Sequence, residues 1–267
     1  MVKMMGRRLR WPWPPTLVRV LIIAAWLVVW EAVVRFGLVG QLLVAPPSST
    51  VVAMVELAGL PEIQAGFVET LLEFVVGFGV AAVVGTLLGF VLGLSPAAFR
   101  ILNSPLMTLY GTPKSIFLPL FVVFLGLGYQ SPAAFAALSA VFPVIITVIA
   151  GIRALDQRLL MTADSLGASR LDKVRFVFLP GTFPAIISGL WLGIKQALLA
   201  VLLAEMFISG TRNVGYWIAH YASAFQAASV YALIAWLSLL AIALGLAWRR
   251  LEAHASRWRL TERGATL

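Results

Sequence analysis

The chain has 267 residues, of which 61% are hydrophobic and only 12% charged, with a mean hydropathy of +0.97. Soluble domains are about half apolar and about a quarter charged, so the composition excludes an ordinary soluble domain and reads as an integral membrane protein. The formal charge of +9 is placed along the chain below, and the absence of cysteine excludes a disulfide framework, a thiolate nucleophile and a cysteine-based metal site.

A membrane-crossing helix takes about 20 mostly apolar residues to cover roughly 30 Å of hydrocarbon. Six stretches qualify: about 17–39, 67–94, 105–128, 132–152, 183–208 and 228–248. Residues 1–16, with "WPWPP", read as a cytoplasmic leader ending in an aromatic interface anchor. The first stretch is too long for a cleavable signal peptide and is read as a retained helix; with the external segment after it, it makes up 17–66. On it, Glu31 and Arg35 stand four apart, the spacing of a local ion pair. "APPSST" (45–50) is a turn into a short external amphipathic segment.

The core of the protein is expected over 67–250. Its first span places Gly77, Ala81, Gly85, Gly89 and Gly93 four apart. That spacing makes one ridge of small residues, suited to close helix packing, with a pore-lining groove as the alternative. Glu69 and Glu73 fall at the outer start of this span. The next span carries Pro105, Pro113 and Pro119, and the fourth carries Pro143. Prolines at membrane depth kink helices and free carbonyls, which is tolerated around a cavity. Lys114 is placed to snorkel to the nearer surface. In the fifth span, Lys195, Glu205 and Met206 are candidates for a translocation path or gate; for Lys195 a buried pair or snorkelling remains open.

Lysines and arginines set the orientation. With both termini inside, the inner segments hold Lys3, Arg7, Arg8, Arg10, Arg100, Arg153, Arg158, Arg170, Lys173, Arg175, Arg249, Arg250, Arg257, Arg259 and Arg263, and the outer segments only Arg212. The excess positive charge is thus a topology signal, and no nucleic-acid partner is expected. Residues 251–267 form a cytoplasmic tail.

Catalytic chemistry is missing. A phosphate-binding P-loop places glycine directly before its lysine, whereas the four lysines follow Val2, Pro113, Asp172 and Ile194. His220 and His254 have no partner at metal-ligand spacing, His220 reads as a solvated side chain of an outer loop, and no G-x-S-x-G occurs. The chain is expected to be no enzyme and to bind no cofactor or metal.

One polar, helix-prone segment interrupts the hydrocarbon between the fourth and fifth spans, within 153–182. Asp156 is placed to cap a helix through about Leu166, whose Leu155, Leu159, Ala163 and Leu166 share a face. Gly167 permits a sharp reversal. A second short helix, Leu171 to Phe178, returns toward the membrane, with Pro180 and Pro184 bounding the start of the fifth span. The expectation is a stiff helix–turn–helix whose apolar face fits a partner's groove or rests on lipid headgroups.

Here "TADSLGASRLDKVRFVFLPGTFPAIISGL" resembles the cytoplasmic-loop signature of permease subunits of bacterial binding-protein-dependent ABC importers. That signature runs Glu-Ala-Ala, three residues, Gly, then about a dozen to Leu-Pro. Ala163, Gly167, Ala168, Leu179 and Pro180 match it, while Met161 and Thr162 replace the Glu and first Ala. "TLLEFVVGFGVAAVVGTLLGFVLG", "PKSIFLPLFVVFLGLG" and "LLAEMFIS…NVGYWI" are similar to the branch for nitrate, sulfonates, taurine and thiamine or riboflavin precursors, with Glu73 where that branch often has arginine at the outer mouth.

The resemblance implies an all-α, six-helix type I importer transmembrane domain with cytoplasmic coupling helices, in the bacterial inner membrane. It implies a pair of identical chains around a path, two separate ATPase subunits carrying ATP and Mg, and an external solute-binding protein. Ala163, Asp164, Ser165, Leu166, Gly167 and Ala168 would make the ATPase contact. The implied cargo is an aliphatic sulfonate, taurine or nitrate, with a vitamin precursor as the alternative. A carrier working without ATP is the alternative of a different class; it would need inverted repeats or matched broken helices, which the sequence does not display.

Overall fold

The computed structural model describes residues 14–40, 42–208 and 212–255, and among them all regular structure is helical. The leader before residue 14 and the tail beyond residue 255 lie outside the described residues. The helices are α1 (Pro15–Arg35), α2 (Pro47–Ala58), α3 (Pro61–Leu94), α4 (Pro96–Gly111), α5 (Leu118–Leu125) and α6 (Gln130–Arg153). They continue with α7 (Gln157–Ser165), α8 (Arg170–Lys173), α9 (Leu179–Phe207), α10 (Val214–Ser223) and α11 (Ala227–Ala255).

Starts and stops follow local chemistry. Pro47, Pro61 and Pro96 open α2, α3 and α4 at positions where a missing N–H costs nothing. Ser95 caps α4 by accepting from the Ala98 N–H, and Asn213 caps α10 by accepting from the Tyr216 N–H.

Four helices, α1, α3, α6 and α11, are single apolar spans, and α8 to α9 form a fifth. The expected third span, 105–128, is a bent pair instead. Helix α4 starts earlier, at Pro96, and runs through Pro105; α5 turns away from it by 86°. The break falls where Pro113 forces Thr112 into extended backbone (ψ 135°), and Lys114–Phe117 form a 3-10 turn before α5. Pro143 also lies inside a continuous helix, α6.

The fifth span is a further correction. Pro180 and Pro184 do not bound it, since residues 170–207 form one uninterrupted helical run. A π-helical turn at Val174–Phe178, in which the Leu179 N–H reaches back to the Val174 carbonyl, widens the helix just ahead of the Pro180 ring. Proline lacks the N–H that a tight ladder requires at that point, so the wider turn accommodates it.

The core is the triple stack α3–α6–α9. Alanines 81, 136, 140, 197, 200 and 204 and Val201 fill it, all buried. The small-residue ridge of α3 lies directly on α6: a Cβ at Gly77 would stand 2.7 Å from Ala136 Cβ, one at Gly85 2.8 Å from Val144 Cβ, and one at Gly89 2.7 Å from Val148 Cβ. Gly93 meets Ile152 in the same way. Helices cannot approach this closely with larger side chains between them.

A second cluster, with Leu57, Ile63, Val214, Ile218 and Leu233, joins α2, α3, α10 and α11. Helix α1 stands apart, with only 6% of its most apolar window buried, so its attachment is specific rather than extensive. Glu31 pairs with Arg35, accepts from the Ser48 N–H at 3.0 Å and from its hydroxyl at 2.7 Å, while Trp30 leans on Tyr231 at 5.6 Å.

Candidate functional site

The polar segment between α6 and α9 folds as a rigid bracket. Asp156 caps α7 by accepting from the Arg158 N–H at 2.9 Å. The helix ends in a Schellman arrangement, with the Ala168 N–H on the Ala163 carbonyl and the Gly167 N–H on the Asp164 carbonyl, both at 3.0 Å. Gly167 takes φ +75°, a left-handed conformation that disfavours any side chain with a branched Cβ. The return is fixed at once: Ser169 and Asp172 form a reciprocal capping box at the start of α8, and Lys173 reaches back to pair with Asp164 across the turn.

The bracket presents apolar surface outward. Leu166 is 82% exposed and Leu171 75% exposed, although nothing polar requires leucine at either place. Between α7 and the π-helical turn lies a cavity of about 450 Å³ lined by Leu159, Ala163, Leu166, Ala168, Phe176 and Pro180, among others. The candidate residues are thus brought together. Ala163, Leu166 and Ala168 line the cavity, Gly167 makes the turn, and Asp164 and Ser165 brace it, the latter by donating to the Met161 carbonyl at 2.9 Å. The geometry sets an exposed leucine beside an apolar cavity on a turn held by local hydrogen bonds and one ion pair.

The other singled-out residues separate into two sets. Lys195 and Met206 are exposed on α9, eleven residues apart and so nearly in line on one helical face, with the Lys195 ammonium 5.6 Å from the Trp191 ring centre. Glu205, next in sequence to Met206, points the other way and is 1% exposed. Its Oε2 accepts from the Gly215 N–H at 2.7 Å, at the start of α10. Glu73, which the resemblance puts at the outer mouth, is completely buried and accepts from Asn213 Nδ2 at 3.4 Å. His220 is exposed, within an aromatic group of Tyr216, Trp217 and Tyr221.

Lys114 is held at the α4–α5 break, donating to the Tyr110 carbonyl at 2.9 Å and standing 5.3 Å from the Phe142 ring centre. It borders a cavity of about 470 Å³ walled by Phe117, Phe121, Phe124 and Phe142. Sequence reasoning overlooked Thr70, Asn213 and Gly215, which meet the two buried acids. The run "NVGYWI" carried the only local signal, a capping residue ahead of an apolar turn.

Comparison with known proteins shows the family. The family model described as "Binding-protein-dependent transport system inner membrane component" matches residues 81–257. The taurine transport system permease protein of Escherichia coli is 30% identical over 269 residues, covering 96% of both chains. A putative aliphatic sulfonates transport permease protein of Bacillus subtilis is 28% identical, covering 97% of this chain and 92% of that one. A nitrate import permease protein of Leptolyngbya laminosa is 32% identical over 54% of this chain and 51% of its own. These matches leave no place for the ATP-independent carrier. The chain belongs to the family of binding-protein-dependent transport system inner membrane components, as a multi-pass permease subunit of an ABC importer.

Proposed function

We propose that the α7–α8 bracket is the docking element through which this permease is driven by a separate ATPase subunit, and that the cargo is taurine or a related aliphatic sulfonate. The observation that carries the docking is the bracket itself. Leu166 stands exposed beside an apolar cavity, on a turn locked by a Schellman motif, a capping box and the Lys173–Asp164 pair. An exposed apolar knob costs free energy in water at roughly 25 cal/mol per Å², and a partner's groove removes that cost.

The basic residues around the bracket, Arg153, Arg158, Arg170, Lys173 and Arg175, support a cytoplasmic placement with both termini inside. ATP and Mg then belong to the ATPase, two of which serve a pair of permease chains. The exposed α9 face with Lys195 and Met206 is free to line a path between those two chains. An external solute-binding protein delivers cargo at the opposite end, near α10. A displacement of the bracket passes directly into α9, because residues 170–207 are one helical run.

The sulfonate reading draws on the taurine and sulfonate permeases, which resemble this chain along nearly its whole length, whereas the nitrate permease does so over about half. Purification of the tagged chain from its native membranes in mild detergent tests the docking. A stoichiometric ATPase is expected to stay bound, and a co-purifying binding protein is expected to take taurine in calorimetry. A chain that comes down alone overturns the docking; a binding protein that ignores sulfonates overturns the cargo.

A further inference from the structure

Two acids lie buried at the end of the bundle opposite the bracket. Glu73 on α3 is 0% exposed and Glu205 on α9 is 1% exposed. Both reach the start of α10, Glu73 through Asn213, which caps that helix, and Glu205 through the Gly215 N–H. Glu73 Oε1 accepts from Asn213 Nδ2, Glu205 Oε2 accepts from the Gly215 N–H, Thr70 Oγ1 beside Glu205 accepts from the Val214 N–H at 3.1 Å, and Asn213 Oδ1 accepts from the Tyr216 N–H at 3.1 Å. One oxygen of each acid remains, Glu73 Oε2 and Glu205 Oε1, both buried and neither with a hydrogen-bond partner among the described residues.

No cation among the described residues is paired with either acid. Among the described residues the ion pairs are Arg35–Glu31 and Lys173–Asp164, and neither involves this site. On α3 the neighbouring ionisable groups are Glu69, one turn away, and Glu62, both acidic. The sole charged residue of α6, Arg153, lies at that helix's far end. On α9, Lys195 is exposed over Trp191. Arg212 is exposed, and it is its backbone carbonyl that packs on Gly66. Helix α10 adds Tyr216, Tyr221 and the exposed His220. Glu56 of α2, and Tyr231 with the C-terminal Arg249, Arg250, Glu252 and His254 of α11, complete the set from the elements packed nearby.

Two buried acceptor oxygens without a partner, on acids held by the same helix start, lack a hydrogen. Two ionised carboxylates there would repel and be poorly solvated, while a single proton converts the same pair into a donor and an acceptor. We propose that Glu73 and Glu205 hold one proton between them, and that this acid–carboxylate pair is a proton-binding clasp fixing α10 to α3 and α9. The donor set assigns the ends. Glu205 keeps the negative charge, since the Gly215 N–H and the N-terminal dipole of α10 favour an anion there. Glu73 carries the proton on Oε2 and donates to Glu205 Oε1, its Oε1 remaining the carbonyl oxygen that Asn213 addresses. No other bond forms or breaks.

The test is infrared absorption of the purified full chain in lipid nanodiscs, with ¹³C-glutamate to assign the bands. At neutral pH the wild type is expected to show an un-ionised carboxylic acid stretch that moves with the label. Glu73→Gln and Glu205→Gln should each remove it, because the amide then donates to the remaining carboxylate. Should either variant fail to fold, the wild type alone still decides. Raising the pH until the band disappears should lower the protection of the α10 amides on the order of tenfold relative to those of α6, once the intrinsic rise of exchange with pH is divided out, the loss of one buried hydrogen bond. A wild type without the band, a band that survives both substitutions, or α10 exchange that ignores loss of the band overturns the proposal. Stabilisation by added sodium or potassium in the absence of the band would mean that a metal ion occupies the site, and would equally overturn it.

Discussion

Gly167→Val is expected to leave the bundle folded while cutting coupled uptake by about tenfold to a hundredfold. The residue has φ +75° and nothing within 4 Å of where a Cβ would stand, so the substitution meets no clash, only an unfavourable backbone. Holding a β-branched residue in a left-handed conformation costs on the order of 1–3 kcal/mol, about tenfold per 1.4 kcal/mol. The α7–α8 turn relaxes instead, and with it go the Ala168–Ala163 hydrogen bond and the placement of Leu166. Gly167→Asn, whose side chain tolerates this region, should retain most activity. The readout is cargo uptake per ATP hydrolysed in proteoliposomes with the ATPase present. Unchanged coupling in the valine variant would show that the turn does not transmit the motion.

The second large effect is structural. Gly85→Leu with Gly89→Leu is expected to abolish the monodisperse protein in detergent. Each added Cβ would fall within 2.8 Å of a valine Cβ on α6, and those valines, 144 and 148, are completely buried and cannot swing aside. Overpacking of this kind costs about 1–3 kcal/mol per site and sometimes more, and here both costs fall on one seam. Gly79→Leu is the matched control: its Cβ position is open, so the thermal midpoint should stay near wild type. A normal midpoint for the double variant would contradict direct apposition of α3 and α6.

What the sequence made legible was local. Asp156, the spacing of Leu159, Ala163 and Leu166, and Gly167 define α7 and its stop within a dozen residues, and the structure follows them. The glycine ridge was legible for the same reason, since a four-residue repeat states its own face. The prolines were read less well. Pro105, Pro143 and Pro184 lie inside helices, and Pro113 alone makes a sharp break, because the outcome depends on which neighbours can shift. The π-helical turn at Val174–Phe178 had no local signal. The acid pair was out of reach altogether. Glu73 and Glu205 sit on different spans, and only tertiary packing brings them to one short helix that hydropathy had passed over as a loop. The resemblance puts Glu73 at the outer mouth, and its complete burial there is a property of the packing that sequence does not carry.

The most direct test of the docking account uses the absence of cysteine. Leu166→Cys introduces a unique thiol at the exposed tip of the bracket, and a short bifunctional reagent can join it to single cysteines placed around the groove of the co-expressed ATPase. The account predicts one dominant cross-linked product that forms at Leu166→Cys, is absent from a matched cysteine at Ser223 on α10, and blocks ATP-driven uptake until the linker is cleaved. Cross-linking to the ATPase from Ser223→Cys but not from Leu166→Cys would contradict it, reversing the orientation and removing the bracket from the coupling path.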